Sequence, residues 1–423
     1  MTGRTPRVVI VGGGFGGLAA AKALRRAPVN IILIDRSNHH VFQPLLYQVA
    51  TSVLAPGQIA SPIRGLLADQ ENTSVMLGNV TGIDSASRHV IADADEKKGL
   101  RIEYDYLVLA TGATHSYFGH DEFAPFAPVL KSLADAELLR NHILKAFENA
   151  EIEDDPERRQ ALMTFVLVGA GPTGVEMASA IAFMVQTTLR KNFRRIDPRS
   201  ARIILVDMGK RPLGTFAESL SEAAKQRLLK LGVEVRLEKP VHSIDAECAL
   251  VGDERIPSKT VIWTAGVAPS PAGKWLDCDV DRAGRVRVRN DLTIHHHPEI
   301  FVVGDTATLD QGGRRLPGVA QVAIQQGQYA GKSIIRQITR KPPLPPFRYF
   351  DKGDLAVVGK GFAVLQSGPI KMSGYVAWLV WALVHIQFLA ESSLRISVFF
   401  QWVRTYFSGH RGDRLIIEKH GNG

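Results

Sequence analysis

The chain has 423 residues, which at about 100–200 residues per domain predicts two or three domains; 45% hydrophobic and 22% charged residues exclude collagen, long disorder and a disulfide-stapled secreted scaffold. Lys and Arg number 51 against 42 Asp and Glu, a net charge of +9 that favours nucleic acid, anionic lipid or an anionic ligand. The basic residues are spread over predicted helices (Lys22, Arg25, Arg26; Lys191, Arg194, Arg195) without a basic stripe of interleaved aromatics, which argues against nucleic acid.

No secretory signal is read at the N-terminus, because the apolar run Val8–Val11 enters glycines at once. That run opens an internal repeat. Val8-Val9-Ile10-Val11-Gly12-Gly13-Gly14-Phe15-Gly16-Gly17 is echoed by Phe165-Val166-Leu167-Val168-Gly169-Ala170-Gly171-Pro172-Thr173-Gly174. Each copy is a short apolar strand running into GxGxxG and then an Ala-rich helix, and continuous apolar strands imply a parallel sheet covered on both faces. Each copy returns to a second strand ending in an acid: Ile31–Ile34 before Asp35, and Ile203–Val206 before Asp207. The first acid follows its glycines at close to the usual spacing of about 20 residues. The second follows at a longer one, and Met184–Arg202 reads as an extended basic helix plus loop.

Further strands are predicted at Tyr106–Ala110, Val233–Leu237, Val261–Thr264, Val286–Val288 and Ile300–Val303. Glu151–Arg159 reads as a loop, and Arg340–Phe350, rich in proline, as a linker into a C-terminal segment. The fold class is α/β: two doubly wound Rossmann-like dinucleotide-binding domains plus a C-terminal amphipathic helical segment that binds membrane.

The glycines have separate jobs. The first permits the tight turn out of the strand, the second lets backbone approach a pyrophosphate, and the third lets the helix pack on the sheet. The helix N-terminus then offers free N–H groups and a positive dipole to phosphate. Asp35 and Asp207 suit the ribose hydroxyls of an adenosine. A carboxylate at Asp207 repels the 2′-phosphate of NADP and favours NAD, although nearby Lys210 and Arg211 leave some NADP use open.

With these features the chain resembles the two-dinucleotide flavoprotein superfamily, in which the first unit holds FAD and the second binds NAD(P)H. Leu107-Val108-Leu109-Ala110-Thr111-Gly112, Val261-Ile262-Trp263-Thr264-Ala265-Gly266-Val267 and Ile300-Phe301-Val302-Val303-Gly304-Asp305 resemble its crossing segments and its ribityl-binding strand. His40-Val41-Phe42-Gln43-Pro44-Leu45-Leu46-Tyr47-Gln48-Val49-Ala50, Ala320-Gln321-Val322-Ala323-Ile324-Gln325-Gln326-Gly327 and Asp351-Lys352-Gly353 are similar to signatures of type II, non-proton-pumping NADH:quinone oxidoreductases. The likeness covers nearly the whole chain.

The resemblance implies a discontinuous FAD domain at 1–115 and 296–340, an NAD domain at 116–295 and a membrane-interface segment at 341–423. It implies FAD contacts from Gly12, Gly14, Phe15, Gly16, Gly17, Asp35, Arg36, Val80, Ala110, Thr111, Gly112, Gly304, Asp305, Ala320 and Gln321. NADH, the substrate, is implied to meet Gly169, Gly171, Pro172, Thr173, Gly174, Glu176, Asp207, Gly266 and Val267. The quinone is implied to meet Gln48, Gln321 and Gln325, and the catalytic groups to be Glu176, Gln321 and Lys352. Gln321 and Gln325 share a helical face; by resemblance that helix lies under the flavin ring. Lys352 is implied to stabilise reduced flavin or assist quinol protonation. Glu176, read in the first turn of its helix, suits either a dipole-complementing carboxylate or a proton relay.

Only Cys248 and Cys278 occur, without metal-type or CxxC spacing, which suits a reduced cytosolic compartment. Neither belongs to a flavin-adjacent motif, so electrons would pass straight from flavin to an external acceptor. His295-His296-His297 reads as a polar loop, and no metal site is predicted.

Tyr375–Val384 is an uninterrupted apolar run, well short of the ~20 residues a spanning helix needs. In Leu394–Phe407, helical spacing groups Val398, Trp402, Tyr406, Phe399, Val403, Ile396, Phe407 and Phe400 into one apolar arc of roughly 200°. Ser397, Gln401, Arg404 and Thr405 fill the rest, and Arg395 intrudes on the arc. Such a helix suits the bilayer interface, with Arg411, Arg414 and Lys419 attracting anionic lipid; burial in a core or dimer interface is the alternative. The expectation is a homodimer held peripherally on the cytoplasmic face of the cell inner membrane. Two rivals stay open: a soluble NAD(P)H-dependent reductase of a protein acceptor, and an NADH-reduced redox-sensing flavoprotein.

Overall fold

The computed structural model describes residues 4–409 and 411–417. The chain forms two compact units, Met1–His40 with Ser61–Thr114 and Val267–Asp351, and Val41–Ala60 with His115–Gly266 and Lys352–Gly423.

The first unit is built on a six-stranded sheet in the order Thr293–Ile294, His297–Val302, Tyr106–Leu109, Arg7–Val11, Asn30–Asp35, Thr73–Leu77. All neighbours pair in parallel except the edge strand Thr293–Ile294. Side chains alternate across a strand, and here both faces are covered. Val8, Ile10, Ile31 and Leu33 enter one core with Leu18, Leu24 and Ile334. Val9, Val11, Ile34 and Leu109 enter another with Tyr104, Leu276 and Val302. Hence these strands are apolar at every position rather than every second one. The helix Phe15–Ala23 packs along the helix Ala320–Ile338 through small residues: a Cβ on Gly327 would stand 2.1 Å from the Gly16 carbonyl oxygen.

The second unit repeats the design with a four-stranded parallel sheet, Val233–Arg236, Arg202–Val206, Thr164–Val168, Thr260–Trp263. Its core gathers Val166, Val168, Ile204 and Trp263. The helix Leu133–Ile152 starts at a capping box between Ser132 and Asp135. Two antiparallel three-stranded sheets accompany it, one of them Asp354–Val357, Ala363–Ser367 and Ile370–Gly374, followed by the helices Tyr375–Phe388 and Ser392–Ser408.

Several expectations are corrected. Residues 267–295 belong to the first unit, not with 116–295, because Val286 and Ile294 are buried in its core. Residues 352–423 and 41–60 fall within the second unit. Met184–Arg202 holds a single π-helical turn, Met184–Thr188, and a short 3-10 turn; the basic residues Lys191, Arg194 and Arg195 lie outside both. Arg25 and Arg26 lie past the end of their helix at Ala23. The 151–159 segment is largely the end of one helix and the start of another, Pro156–Leu162, with only a short break between.

Candidate active site

The two glycine loops have nearly the same backbone. Gly12 has φ +103° and Gly169 φ +109°, a region open to glycine. A Cβ on Gly12 would meet the Ala110 carbonyl oxygen at 2.3 Å, and one on Gly169 the Ala265 nitrogen at 2.8 Å. A Cβ on Gly17 or Gly174 would stand 1.8 Å from the carbonyl oxygen of Gly12 or Gly169, so only glycine lets each helix turn back on its strand. Gly14 and Gly171 are exposed N-caps with no atom near their would-be Cβ, and no side chain caps either helix. Each loop therefore presents unpaired N–H groups to open space, the arrangement that holds a pyrophosphate.

The acids are tied to these loops. Gly13 N–H donates to Asp35 Oδ2 at 2.5 Å and Ser37 N–H to Oδ1 at 2.7 Å; Ala170 N–H donates to Asp207 Oδ2 at 2.5 Å and Gly209 N–H to Oδ1 at 2.6 Å. Arg36 beside the first acid is exposed. His40 fastens the first loop further: its Nδ1 lies 3.1 Å from the Gly13 carbonyl oxygen and its ring meets Phe15 edge to face at 5.0 Å. Burial pushes the His40 imidazole down to about 4, so it is neutral at pH 7. This clamp was hidden in the HVFQP segment, where nothing local tells a buried histidine from an exposed one.

Around the rest of the first site, Thr111 Oγ1 pairs with Ser270 Oγ at 2.5 Å and Thr306 Oγ1 at 3.0 Å, next to Ala110 and Gly112. Gly304 takes φ +74° and donates its N–H to Gln326 Oε1 at 2.7 Å, with Asp305 following. Val80 is buried in the core on one face of the sheet. Ala320 and Gln321 open the helix Ala320–Ile338, and Gln321 Oε1 is buried with no hydrogen-bond partner. An orphaned acceptor is costly unless a ligand donor meets it. Open glycine backbone, an anchored acid and this orphan fit FAD.

Gln325 has another occupation. Its Nε2 donates to the Phe350 carbonyl oxygen at 2.9 Å and its Oε1 accepts from Phe350 N–H at 3.0 Å. The amide thus tethers the proline-rich segment, where the sequence reading sent it to quinone.

In the second unit, Glu176 is the fifth residue of the helix Pro172–Phe183, past the first turn, and 8% exposed. Burial pushes its carboxyl up to about 8, against a long bond at 3.4 Å from Val357 N–H. Of the two sequence readings, burial favours the second: a protonated, buried carboxyl can hold and release a proton near neutral pH. Tyr47 is buried and desolvation holds its hydroxyl protonated, its pKa pushed well above the ordinary tyrosine value; Gln48 Nε2 donates to that hydroxyl at 2.9 Å. Gln48 Oε1 in turn accepts from Trp402 Nε1 at 2.7 Å. Lys352 is exposed, its ammonium 5.7 Å from the centre of the Phe388 ring. Gly266 has φ +73°, packed under Phe118, and Val267 is exposed.

The cysteines stay apart from these groups. Cys248 lies in an antiparallel strand beside Asp245 and Arg255, and burial pushes the Cys278 thiol up to about 11. Neither is paired, and neither is a thiolate at neutral pH.

The apolar arc of Ser392–Ser408 is split. Val398, Trp402 and Tyr406 face inward, where Trp402 stacks on Trp381 at 5.0 Å and Tyr406 lies 5.4 Å from Trp378. Ser397 and Gln401, expected toward water, bond Gln58 and the Val53 carbonyl. Ile396, Phe399, Phe400, Val403 and Phe407 are exposed, as are Tyr375, Val376, Leu379 and Leu383 of the preceding helix. Arg395 donates to the Leu389 carbonyl at 3.1 Å and braces the turn between the helices. Arg411 is not a lipid-facing cation: it is buried, donating to the carbonyls of Thr51 at 2.6 Å and Ala180 at 3.1 Å. Lys419 lies outside the described residues. Among the described residues, no helix is long and apolar enough to cross a membrane.

Comparison with known proteins agrees with this architecture. The model of the pyridine nucleotide-disulphide oxidoreductase family matches residues 6–327. Two proteins of Mycobacterium tuberculosis, both named type II NADH:quinone oxidoreductase, are 45% and 42% identical over 98% of this chain, covering 91% and 90% of their own lengths. The solved NDH2 of Plasmodium falciparum, in complex with NADH, shares the fold with a TM-score of 0.88 at 19% identity, over 98% of this chain and all of that one. A duplicated dinucleotide loop, an unpaired cysteine set and full-length similarity at this level place the chain in the pyridine nucleotide-disulphide oxidoreductases and, within them, in the type II NADH:quinone oxidoreductase family.

Proposed function

We propose that this chain is an FAD-dependent oxidoreductase that carries electrons from NADH to a membrane quinone without pumping protons. The observation that carries the reading is the duplicated loop, each copy with its own acid locked onto the backbone: Asp35 on Gly13 and Asp207 on Ala170. In this reading the first loop, Thr111, Asp305 and Gln321 hold FAD, and the second loop with Asp207 orients NADH. Bound FAD supplies the chemistry, accepting a hydride from NADH and releasing two electrons to the quinone. The protein's part is to position the two substrates and manage protons. With two unpaired, protonated cysteines, the chain has no dithiol to relay electrons. Glu176 is the proton-holding carboxyl, its acidity already near neutral. Lys352 is the accompanying cation, and Gln48 and Gln321 the amides nearest the acceptor; Gln325 keeps its tethering role.

The exposed apolar face of the last two helices supports peripheral attachment to a lipid surface; the proposal assigns that surface to the cytoplasmic side of the cell inner membrane. A homodimer through the same helices is part of the proposal, and sedimentation of the detergent-solubilised protein as a monomer would rule it out.

Stopped-flow absorbance tests the electron path. The purified protein is reduced with NADH and then mixed with a short-chain quinone. Fast flavin bleaching followed by fast recovery is expected. Bleaching without recovery would overturn the quinone assignment in favour of a protein acceptor or redox sensor, and a protein without flavin would overturn the first site.

A further inference from the structure

Among the exposed large apolar side chains of the second unit, Phe118 is held against its backbone preference: it takes φ +56° and is 68% exposed. A bulky residue in the left-handed region is a steric outlier, and such strain gathers where a ligand is met. Its neighbours impose the conformation. Ser116 Oγ accepts the Phe118 N–H at 3.1 Å, and the Ser116 carbonyl accepts the Trp263 indole N–H at 3.0 Å. Tyr117 is buried and donates its hydroxyl to the Ala127 carbonyl at 2.8 Å. With both preceding residues fixed, the Phe118 ring is turned out over Gly266, where a Cβ would stand 2.6 Å from Phe118 Cζ. The ring roofs a glycine and leaves most of its surface to solvent, a burial too small to account for the strain.

Strand order says which end of a dinucleotide passes this ring. In the sheet of the second unit, Thr164–Val168 lies between Arg202–Val206 and Thr260–Trp263. The glycine loop leaves the middle strand, and a dinucleotide lies across that point, with the acid at the end of the next strand taking the adenosine ribose. Asp207 ends Arg202–Val206, so the adenosine half lies on that side and the nicotinamide half crosses toward the end of Thr260–Trp263. There Thr264 Oγ1 lies 2.9 Å from the carbonyl oxygens of both Val168 and Gly169, bracing the loop. Ala265 packs on Gly169, and Gly266, roofed by Phe118, follows. An exposed aromatic face thus stands on the nicotinamide side of the loop, where a flat heterocycle can pack against it.

We infer that Phe118 is a binding residue for the nicotinamide half of NADH, its ring the wall against which that half is laid. The inference rests on the second loop being the NADH site, and the test separates the two. The full chain, holding its flavin, is assayed for KM with NADH and for competitive inhibition by ADP, which carries the adenosine half alone. Phe118→Ala should raise KM for NADH about tenfold, as loss of one aromatic contact requires, and leave ADP inhibition and flavin content unchanged. Phe118→Tyr should restore the KM. Asp207→Asn, on the adenosine side, should weaken NADH and ADP together. Phe118→Gly separates contact from folding: glycine relieves the positive φ, so the thermal midpoint should hold or rise while KM increases as in the alanine variant. The inference is overturned if Phe118→Ala weakens ADP as much as NADH, if its KM is unchanged, or if KM rises only in variants whose thermal midpoint falls. A wild-type protein that ADP does not inhibit in competition with NADH would overturn the reading of the second loop, and this inference with it.

Discussion

The two glycine loops differ by only a few degrees at their first glycine, with φ +103° and +109°, yet the helices behind them are covered by different chemistry. The first helix meets Gly327 and Gly331 of the helix Ala320–Ile338, where backbone packs on backbone. The second carries Glu176 into contact with Val357 and lies under chain drawn from 41–60 and the C-terminal segment. A common loop thus serves a permanent cofactor in one unit and, in our reading, an exchanging substrate with proton management in the other. The loop answers phosphate; the covering decides what else happens.

The strongest way to break the equivalence is to fill each loop separately. Gly12→Val forces a β-branched residue into positive φ and against the Ala110 carbonyl, strain and overpacking that together cost about 2–6 kcal/mol. Flavin content, read from visible absorbance after purification, should fall to near nothing. Gly169→Val should keep its flavin and lose reduction by NADH. If both variants lost flavin equally, the division of labour between the loops would be wrong.

These loops were legible in the sequence because every requirement is local: an apolar strand, three glycines and an acid within one supersecondary unit. The coverings were not. Nothing near Arg411 says that its guanidinium is buried on Thr51 and Ala180, since both partners are distant in sequence. Gln325 reads as half of a polar helical face until Phe350 takes its amide. The strands of 354–374 escaped notice because glycines and charges interrupt their pattern, as at Gly361, Gly368 and Lys371. Periodicity found the last helix but placed one apolar arc where the structure has two faces, one docked and one exposed.

Glu176 sharpens the comparison next. In the folded protein it keeps its proton to about pH 8, against 4.5 in the open chain. Between those values the unfolded state gains by ionising and the folded state does not, so stability falls as pH rises, with the full loss reached above about pH 8. Glu176→Gln removes that loss. Urea unfolding should show the variant gaining up to about 4 kcal/mol at pH 8.5 and almost nothing near pH 4.5. A gain independent of pH would mean that the carboxyl is charged throughout.

Asp207 and Asp35 distinguish the two ligands with a smaller effect. Asp207→Asn leaves the side-chain oxygen but removes the charge on which Ala170 and Gly209 donate. Charge-assisted bonds contribute about 1.5–3 kcal/mol, so KM for NADH should rise about ten- to a hundredfold with flavin content unchanged. Asp35→Asn should instead lower flavin retention and leave KM alone in the fraction that keeps it. An unchanged preference for NADH over NADPH in Asp207→Asn would remove the carboxylate from cofactor selection.

The smallest expected effect tests whether the second helix's covering is a separate, looser layer. Trp402 donates its indole N–H to Gln48 Oε1, linking the helix Ser392–Ser408 to the helix Leu46–Ala50. Gln401 and Ser397 add bonds along the same seam, but Trp402 alone reaches a buried acceptor. Trp402→Phe retains much of the stacking on Trp381 and leaves Gln48 short of one donor, a cost of about 1 kcal/mol. Because the loss falls on a seam and not on a sheet, it should speed amide exchange about fivefold in residues 46–58 and 392–408. Exchange in Phe15–Ala23 and Ala320–Ile338 should not change. Faster exchange in both sets would mean that the C-terminal helices stabilise both repeats, and that the covering of the second is no independent layer.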